Sequence, residues 1–275
     1  LEAAFRPRAR GERQRLRRPW RRPTHPELLD WLASEFVARG WSIKQMHRLM
    51  VTSRTYRMSS SSSGLQAAAD RDPENRSLWR MNANRMEAQV VRDSLLFLAG
   101  ELDLTAGGPS IPLAEADGSK RRSLYFVHSH NDHHRLLATF DDAGVQECYR
   151  RDQSIVPQQA LALANSRLAI ESARAIAERI GGETTDSSAD ATPHDADSAI
   201  GDAALGGWAS DERFVRVAFL QLLGFEPSEP EAAACRDALQ QWRSLDSDDP
   251  QQAEREARAA LVLALINHND FITIR

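Results

Sequence analysis

Two capped helical patterns joined by a single glycine constrain the fold of this chain more than any other feature. Thr24 and Glu27 have the spacing of a capping box, and Ser42 and Gln45 repeat that spacing after the glycine. Apolar residues recur at helical intervals behind each capping box. Gly40 stands where the first helix must end, because glycine adopts a left-handed backbone without strain. The pattern predicts an αα-hairpin over residues 24–51.

The rest of the chain also carries mostly helical periodicity. A third helix is predicted over 84–102 with Asn84 as its cap, and another over 157–180, opened by Pro157 and bent near Ser166. Three further helices are predicted in the last third of the sequence, at 214–222, after a capping box at 228–231, and at 251–268. Only residues 123–128 are predicted to form a strand. The predicted class is mainly α, an irregular helical domain with a short β element near 123–128 and a C-terminal helical subdomain.

Charge and composition predict four regions along the chain. Residues 1–23 carry nine arginines against two glutamates, a net charge of +7, and are predicted to form a disordered basic tail. Because the whole chain has a net charge of −4, the remainder carries −11. A main helical domain is expected at 24–180. A disordered acidic linker follows at 181–207, because that stretch holds almost no large apolar residue. A helical segment at 208–275 is expected to pack on the main domain. Because the chain after residue 23 is acidic, no nucleic-acid partner is expected. No apolar run is long enough for a transmembrane segment.

The stretch 140–165 concentrates the polar residues that could form a site. Its members are Asp141, Asp142, Cys148, Arg150 and Arg151. One interpretation is an anion- or sugar-binding cluster, since arginine presents a planar fork to a carboxylate or phosphate. The other, which the sequence favours, is an internal Arg–Asp network that fixes a long loop to the helix after it.

Two narrower hypotheses concern the same stretch. At least one of Arg150 and Arg151 is predicted to be a structural clamp; its candidate partners are Asp141, Asp142, Asp93 and Glu87. Cys148 is a candidate nucleophile because neighbouring arginines favour its thiolate. Because the motif contains no histidine that could act as a base, the favoured interpretation of Cys148 is a buried structural cysteine.

A histidine-rich segment follows the predicted strand. His128, His130 and His133 are candidate ligands for zinc or copper, which bind neutral imidazole nitrogen well. Adjacent His134 could join them only if the segment is a loop. A solvated loop without metal is the alternative. The chain holds only two cysteines and lacks a C-x-x-C-H haem attachment sequence, so no cofactor is predicted within it.

An ordered series of phrases resembles a known family. They are THPELLDWLASEFVARGWSIKQMHRLMVTSRTYR (24–57), NRSLWRMNANRMEAQVVRDSLL (75–96), RRSLYF (121–126), LLATFD (136–141), CYRRDQSIVPQQALALAN (148–165) and ALINHNDF (264–271). Together they resemble the planctomycete C-terminal domain of unknown function 1553, found in large proteins that also carry a cytochrome-c-like domain. This chain departs from the family pattern at two places. Where the family has a proline-containing turn after its Phe-Asp, this chain has Asp142-Ala143-Gly144, and where the family has Ser-Thr before the helix proline, it has Ser154-Ile155.

The resemblance implies a context more than a reaction. It implies an extracytoplasmic protein, periplasmic or on the cell surface, whose upstream domains are the expected partners. Haem is implied only for such an upstream domain. The expected function is a non-catalytic interaction or structural module of a larger exported protein. The alternative is an extracytoplasmic hydrolase-like enzyme acting on a glycan or an ester, and the sequence favours the non-enzymatic role.

Overall fold

The computed structural model describes residues 23–61, 64–145, 154, 156–185, 210–245 and 249–274. The chain divides into two units, with the boundary between Asn84 and Arg85. This boundary falls inside the region 24–180 that was predicted as one main domain. The predicted basic tail and most of the predicted linker lie outside the described residues. The linker's first five residues continue a helix that ends at Thr185.

Unit 1 opens with the predicted αα-hairpin, formed by α1 (Pro26–Ala38) and α2 (Ile43–Val51). Its turn uses two consecutive left-handed residues, Gly40 at φ +68° and Trp41 at φ +61°. The second cap is confirmed, because the Ser42 hydroxyl accepts the N–H of Gln45. The first was misassigned: the N-cap is His25, since Pro26 takes the first helical position. A short α3 (Gln66–Arg71) follows.

Unit 1 buries little apolar surface. Among its described residues, Leu32 and Met46 are the only hydrophobic side chains that are fully buried. The segment after α3 is held by polar contacts instead: the Asp72 carboxylate accepts the N–H groups of Arg76 and Ser77. These N–H donors lower the pKa of Asp72. The structure of unit 1 therefore depends more on local hydrogen bonds than on a packed core.

Unit 2 is the larger, helical unit, and strand β1 (Asn84–Arg85) spans the boundary at which it begins. Its elements in chain order are β1 (Asn84–Arg85), α4 (Ala88–Leu98), α5 (Leu113–Ala116), α6 (Arg135–Thr139), α7 (Pro157–Asn165), α8 (Arg167–Thr185), α9 (Ser210–Leu223), α10 (Glu229–Leu245), α11 (Pro250–Ile266) and β2 (Thr273–Ile274). The two short strands pair in one sheet. Next to them, the N–H of Met86 donates to the carbonyl of Ile272 at 2.8 Å.

The core of unit 2 lies where α8 and α11 pack together, with α10 and α9 beside them. Ile176, Ile180, Phe214, Leu239 and Val262 are fully buried there. Helical spacing of these residues places them on the inner faces of their helices, and the sequence predicted this for Phe214 and Leu239. The break between α7 and α8 falls at Ser166, also as predicted. The C-terminal helices thus share a core with the helices that precede the predicted linker.

A mainly α fold with a small β element is confirmed, but two further local predictions were wrong. Residues 123–128 do not form a strand: Ser123–Tyr125 is a 3-10 turn, and Phe126 makes an isolated bridge to Ile111. Asn84 does not cap a helix, because it lies in β1 and α4 begins at Ala88. That helix ends at Leu98, just before Gly100 at φ +73°. No helix in the described ranges is both long and apolar enough to span a bilayer.

An ion network ties the last three helices to one another. Arg243 on α10 donates to both oxygens of Asp211 on α9, at 2.8 and 2.5 Å, and to Glu254 on α11 at 3.0 Å. Hydrogen bonds to Asp211 raise the pKa of Arg243, with Glu254 adding to the effect. Glu254 also pairs with Arg258 at 2.5 Å. Because each guanidinium bonds carboxylates in a fixed planar geometry, these pairs fix the angles between α9, α10 and α11 at a partly exposed edge of the core.

Candidate functional site

The two predicted aspartates lie in the turn that follows α6. Phe140 ends that helix and is buried, and Asp141 then adopts a left-handed backbone at φ +57°. Aspartate tolerates this conformation better than most residues because its short side chain bonds locally. The reversal directs Asp141 and Asp142 to different partners, so the adjacent carboxylates form two separate contacts.

Asp141 belongs to a network that reaches α7 and β1. Its carboxylate accepts the N–H of Ser154 at 2.6 Å and the hydroxyl of Ser154 at 2.7 Å. Gln159 on α7 is only 2% exposed and donates to the Thr139 carbonyl at 3.0 Å and to Ser154 Oγ at 3.3 Å. Arg85 donates to Gln159 Oε1 at 2.5 Å. Burial lowers the pKa of Arg85, and the nearby charge of Asp141 opposes that shift.

Asp142 faces α4 and the histidine segment. Its Oδ1 accepts Gln89 Nε2 at 2.5 Å and the N–H of Ala143 at 2.6 Å. Its Oδ2 lies 3.6 Å from Nδ1 of His128, and the Asp142 side chain is 8% exposed. This distance is longer than a hydrogen bond. Asp142 therefore lies beside one of the predicted metal ligands, His128.

A second cluster is built around Arg92, a fully buried charge on α4. Its guanidinium donates to the carbonyl of Arg121 at 3.0 Å, to Ser123 Oγ at 3.2 Å and to the Ser119 carbonyl. It also stands 4.5 Å over the ring of Phe126. Burial lowers the pKa of Arg92, and the charge of Asp93 opposes that shift.

The neighbouring Asp93 completes this second cluster. Its Oδ1 accepts the backbone N–H of Ser123 at 2.9 Å and the hydroxyl of Ser123 at 2.6 Å. Arg122 lies 3.8 Å from its other oxygen, and Arg92 lies 3.5 Å from Oδ1. The cluster anchors the segment 116–123 to α4, so its arginine and aspartate are structural clamps.

His134 is the buried member of the histidine group and caps α6. Its Nδ1 accepts the N–H of Leu137 at 3.5 Å, and its ring packs 5.2 Å from Phe126. Its Nε2 lies 3.0 Å from a carboxylate oxygen of exposed Asp117, out of line for a hydrogen bond. Burial lowers the pKa of His134, Asp117 opposes the shift, and the charge of Arg92 adds to it. Its role is to hold the helix rather than to bind a metal.

The other three histidines are exposed and only partly converge. The rings of His128 and His133 stand 6.4 Å apart, edge to face, and His133 Nε2–H donates to the His130 carbonyl at 3.1 Å. Across the described ranges, no three His, Cys, Asp or Glu side chains meet as ligands of one metal ion. The metal site over these three residues stays a prediction.

The remaining predicted site residues lie outside the described residues. Cys148, Arg150 and Arg151 fall in 146–153. The clamp that was predicted from those arginines therefore stays a prediction, and a buried arginine clamp is seen separately at Arg92. Sequence reasoning missed Gln89 and Gln159 as partners of the two aspartates. The one signal for Gln159 was a polar residue inside the apolar run of α7, and Gln89 carried none.

The comparison with protein families identifies the chain. The family described as "PSD1: Protein of unknown function (DUF1553)" matches residues 19–239. No curated protein and no solved structure matches the chain. The match covers most of the 275 residues and includes both polar clusters and the histidine segment. The chain therefore belongs to the DUF1553 family of proteins of unknown function.

Proposed function

We propose that this chain is a non-catalytic interaction module, which docks through the αα-hairpin of unit 1 onto another part of a larger exported protein. The observation that carries the proposal is the apolar surface of that hairpin. Trp31 is 48% exposed, Val37 53%, Trp41 66%, Ile43 64% and Val51 46%. Soluble monomers rarely expose this much apolar surface in so short a segment unless it binds something.

The shortage of buried residues in unit 1 supports the same conclusion. The hairpin buries only Leu32 and Met46, so more of its large apolar side chains face outward than inward. Hydrophobic burial is the main favourable term in folding, and a helix pair with so thin a core gains little of it alone. A docked partner would supply the missing burial.

Trp41 has the properties of a binding anchor. Its ring stands 5.2 Å from that of Phe36 at an interplanar angle of 71°, so the contact holds the exposed indole in one orientation. Its backbone occupies the left-handed region, which is costly for a bulky residue and marks functional positions. A fixed tryptophan loses little conformational entropy on binding, and tryptophan is enriched among interface hot spots.

The partner we propose is the polypeptide upstream of the hairpin. The planctomycete proteins that this chain resembles carry a cytochrome-c-like domain and a second uncharacterised domain before this one. An exported, extracytoplasmic location and haem in the upstream domain would follow from that arrangement. Physical linkage would raise the effective concentration of such a partner at the hairpin to about the millimolar range.

A pull-down and titration would test the docking surface. The full chain should bind the separately produced upstream region. Trp41→Ala should weaken that binding by roughly 30-fold, as expected for a hot spot of about 2 kcal/mol. Leu245→Ala is the matched control, because Leu245 is 82% exposed on α10 of unit 2. No association at micromolar concentrations, or equal weakening by both variants, would refute the proposal.

One contact favours hydrolytic chemistry as a second candidate. The Asp142 carboxylate lies 3.6 Å from Nδ1 of His128, and a histidine beside a carboxylate is a common arrangement of a general base. A hydrolase would also need a nucleophile or an activated water and donors to an oxyanion beside this pair. A non-catalytic module should show no turnover of ester or glycan substrates. Hydrolysis by the wild type that Asp142→Asn abolishes would replace the non-catalytic proposal with this one.

A further inference from the structure

A basic segment covers α2 and the turn that follows it. Residues 36–69 contain no aspartate or glutamate, although the whole chain has 39 of them. The cations of this segment are Arg39, Lys44, Arg48, Arg54 and Arg57. Of these, Arg39 is neutralised by Glu35 on α1, at 2.7 Å. A chain with a net charge of −4 therefore carries a basic surface within its docking hairpin.

The other four cations face solvent without a counter-charge. All four are exposed, and none forms an ion pair with another described residue. The helix dipole favours Arg48 in the last turn of α2 but disfavours Lys44, because the second residue of a helix lies at its positive end. Lys44 and Arg48 are also four residues apart on one helix, so their charges repel each other. A carboxylate from a binding partner would relieve both unfavourable terms.

The cations of α2 share its outer face with exposed apolar side chains. At 3.6 residues per turn, an arc of about 140° holds Ile43, Lys44, His47, Arg48 and Val51. All five are exposed, whereas Met46, outside this arc, is buried. Val51 follows Arg48 by three residues, so these two side chains are neighbours on the surface. The face that presents apolar groups to a partner thus presents positive charge as well.

We propose that the hairpin docks onto an acidic protein surface, in which aspartates or glutamates surround an apolar pocket for Trp41. This inference rests on the function proposed above and specifies the chemistry of the partner. The apolar side chains supply the buried area. The cations supply orientation and speed, because complementary charge mainly accelerates association and excludes partners of like charge.

An anionic lipid surface fits the same charge less well. A helix that lies in a membrane interface separates its apolar residues from its charged ones, so that one face can sink below the headgroups. In α2 the apolar and cationic residues occupy one face. Burying Ile43 and Val51 in lipid would take His47 with them, since it lies between them on the helix. A protein surface can instead meet each side chain with its own complementary group.

The lysine content of the chain allows a direct test by cross-linking. The only two lysines are Lys44 and Lys120, and Lys120 of unit 2 lies 2.9 Å from Glu101. A carbodiimide joins an amine to a carboxylate in direct contact. Applied to the full chain bound to the upstream region, it should link Lys44 to an aspartate or glutamate of that region, with Lys120–Glu101 as the internal positive control. Lys44→Arg should abolish the intermolecular link and keep the binding, because it keeps the charge.

Association kinetics over a range of ionic strength provide the second test. Reversing both charges, with Lys44→Glu and Arg48→Glu together, should lower the association rate constant about tenfold at low salt and change dissociation less. Raising the ionic strength from about 0.01 M to about 1 M, which shortens the Debye length from about 30 Å to about 3 Å, should remove most of this difference. Arg135→Glu with Arg255→Glu is the matched control, because both are exposed cations of unit 2.

The outcomes separate this inference from the function on which it rests. If Trp41→Ala weakens binding but the Lys44 and Arg48 reversal associates like the wild type at every ionic strength, the partner surface is not acidic and docking still stands. Cross-links to the upstream region from Lys120 instead of Lys44 would have the same meaning. No association with the upstream region overturns both proposals. Binding to phosphatidylserine vesicles that the reversal abolishes, without protein association, would assign the surface to lipid and overturn both.

Discussion

Replacing Arg92 should destabilise unit 2 more than replacing an exposed arginine. The side chain of Arg92 is 2% exposed, and its guanidinium supplies hydrogen bonds to the carbonyls of Ser119 and Arg121. Methionine would fill much of the same volume but donate nothing. Lysine would keep the charge but replace a planar five-donor fork with a single ammonium group. The two variants therefore separate the loss of charge from the loss of geometry.

The expected magnitude follows from the acceptors left behind. Asp93 keeps both hydrogen bonds from Ser123 in either variant, so its carboxylate is not left unpaired. The cost falls on the two backbone carbonyls, at about 1–3 kcal/mol for each buried acceptor without a donor. Arg92→Met should thus cost about 4 kcal/mol, and Arg92→Lys, which can still reach one carbonyl, about 2 kcal/mol.

Thermal unfolding followed by circular dichroism measures both losses. Since about 1 kcal/mol moves Tm by roughly 2–4 °C at this chain length, Arg92→Met should melt roughly 8–16 °C lower and Arg92→Lys roughly 4–8 °C lower. Arg167→Met is the control, because the Arg167 side chain is 89% exposed and pairs only with exposed Glu171. Its Tm should not change measurably. An Arg92→Met protein that melts with this control would refute the clamp.

Two further predictions concern His134 and Arg243 of unit 2. Because burial lowers the pKa of His134, the unfolded chain binds a proton at this residue at a higher pH than the folded chain does. The contribution of His134 to stability should be full above about pH 6.5 and should fall as the pH drops below it. The urea midpoint should fall less with pH for His134→Asn, because asparagine can still cap α6. Equal pH dependence of the wild-type and His134→Asn midpoints would contradict this. Arg243→Lys should cost about 1.5–3 kcal/mol by losing the fork to Asp211 and Glu254. Arg255→Lys on the exposed face of α11 should cost nothing measurable, and equal melting of the two variants would contradict the network.

Local sequence signals identified most helices because those helices are specified locally. Ser42 caps α2, Pro157 opens α7, and Ser228 bonds to Glu231 at the start of α10. Each signal works within one helical turn and needs no distant partner. The helix α11 was also predicted from alanines and leucines that recur at helical spacing, although Ala264 on that stripe is exposed.

The wrong predictions share a dependence on distant contacts. Residues 123–128 alternate like a strand, yet Ser123 turns because α4 presents Asp93 to its N–H and hydroxyl. Asn84 resembles a cap, yet it pairs with β2 at the far end of the chain. In both cases a contact distant in sequence outweighed a weak local preference.

The aspartates of the candidate site were predictable as polar residues in a dense motif, whereas their partners were not. Asp141 was one of the candidate partners of Arg150 and Arg151, which lie outside the described residues; among the described residues its carboxylate contacts Ser154 and, behind that, Gln159. Uncharged amides leave no charge pattern in a sequence. Their significance appears only when burial shows that Gln159 is enclosed and has its amide hydrogen bonds satisfied.

The arrangement of these contacts bears on what the module does. In unit 2, Arg92 and Asp141 are each paired with groups from other segments, so their charges hold loops to helices and have few bonds left for a substrate. The hairpin of unit 1, by contrast, carries large exposed apolar side chains, among them Trp41 at 66% and Ile43 at 64%. Side chains of this kind suit contact with another protein. The docking role that we propose is therefore tested more sharply by a binding measurement than by an activity screen.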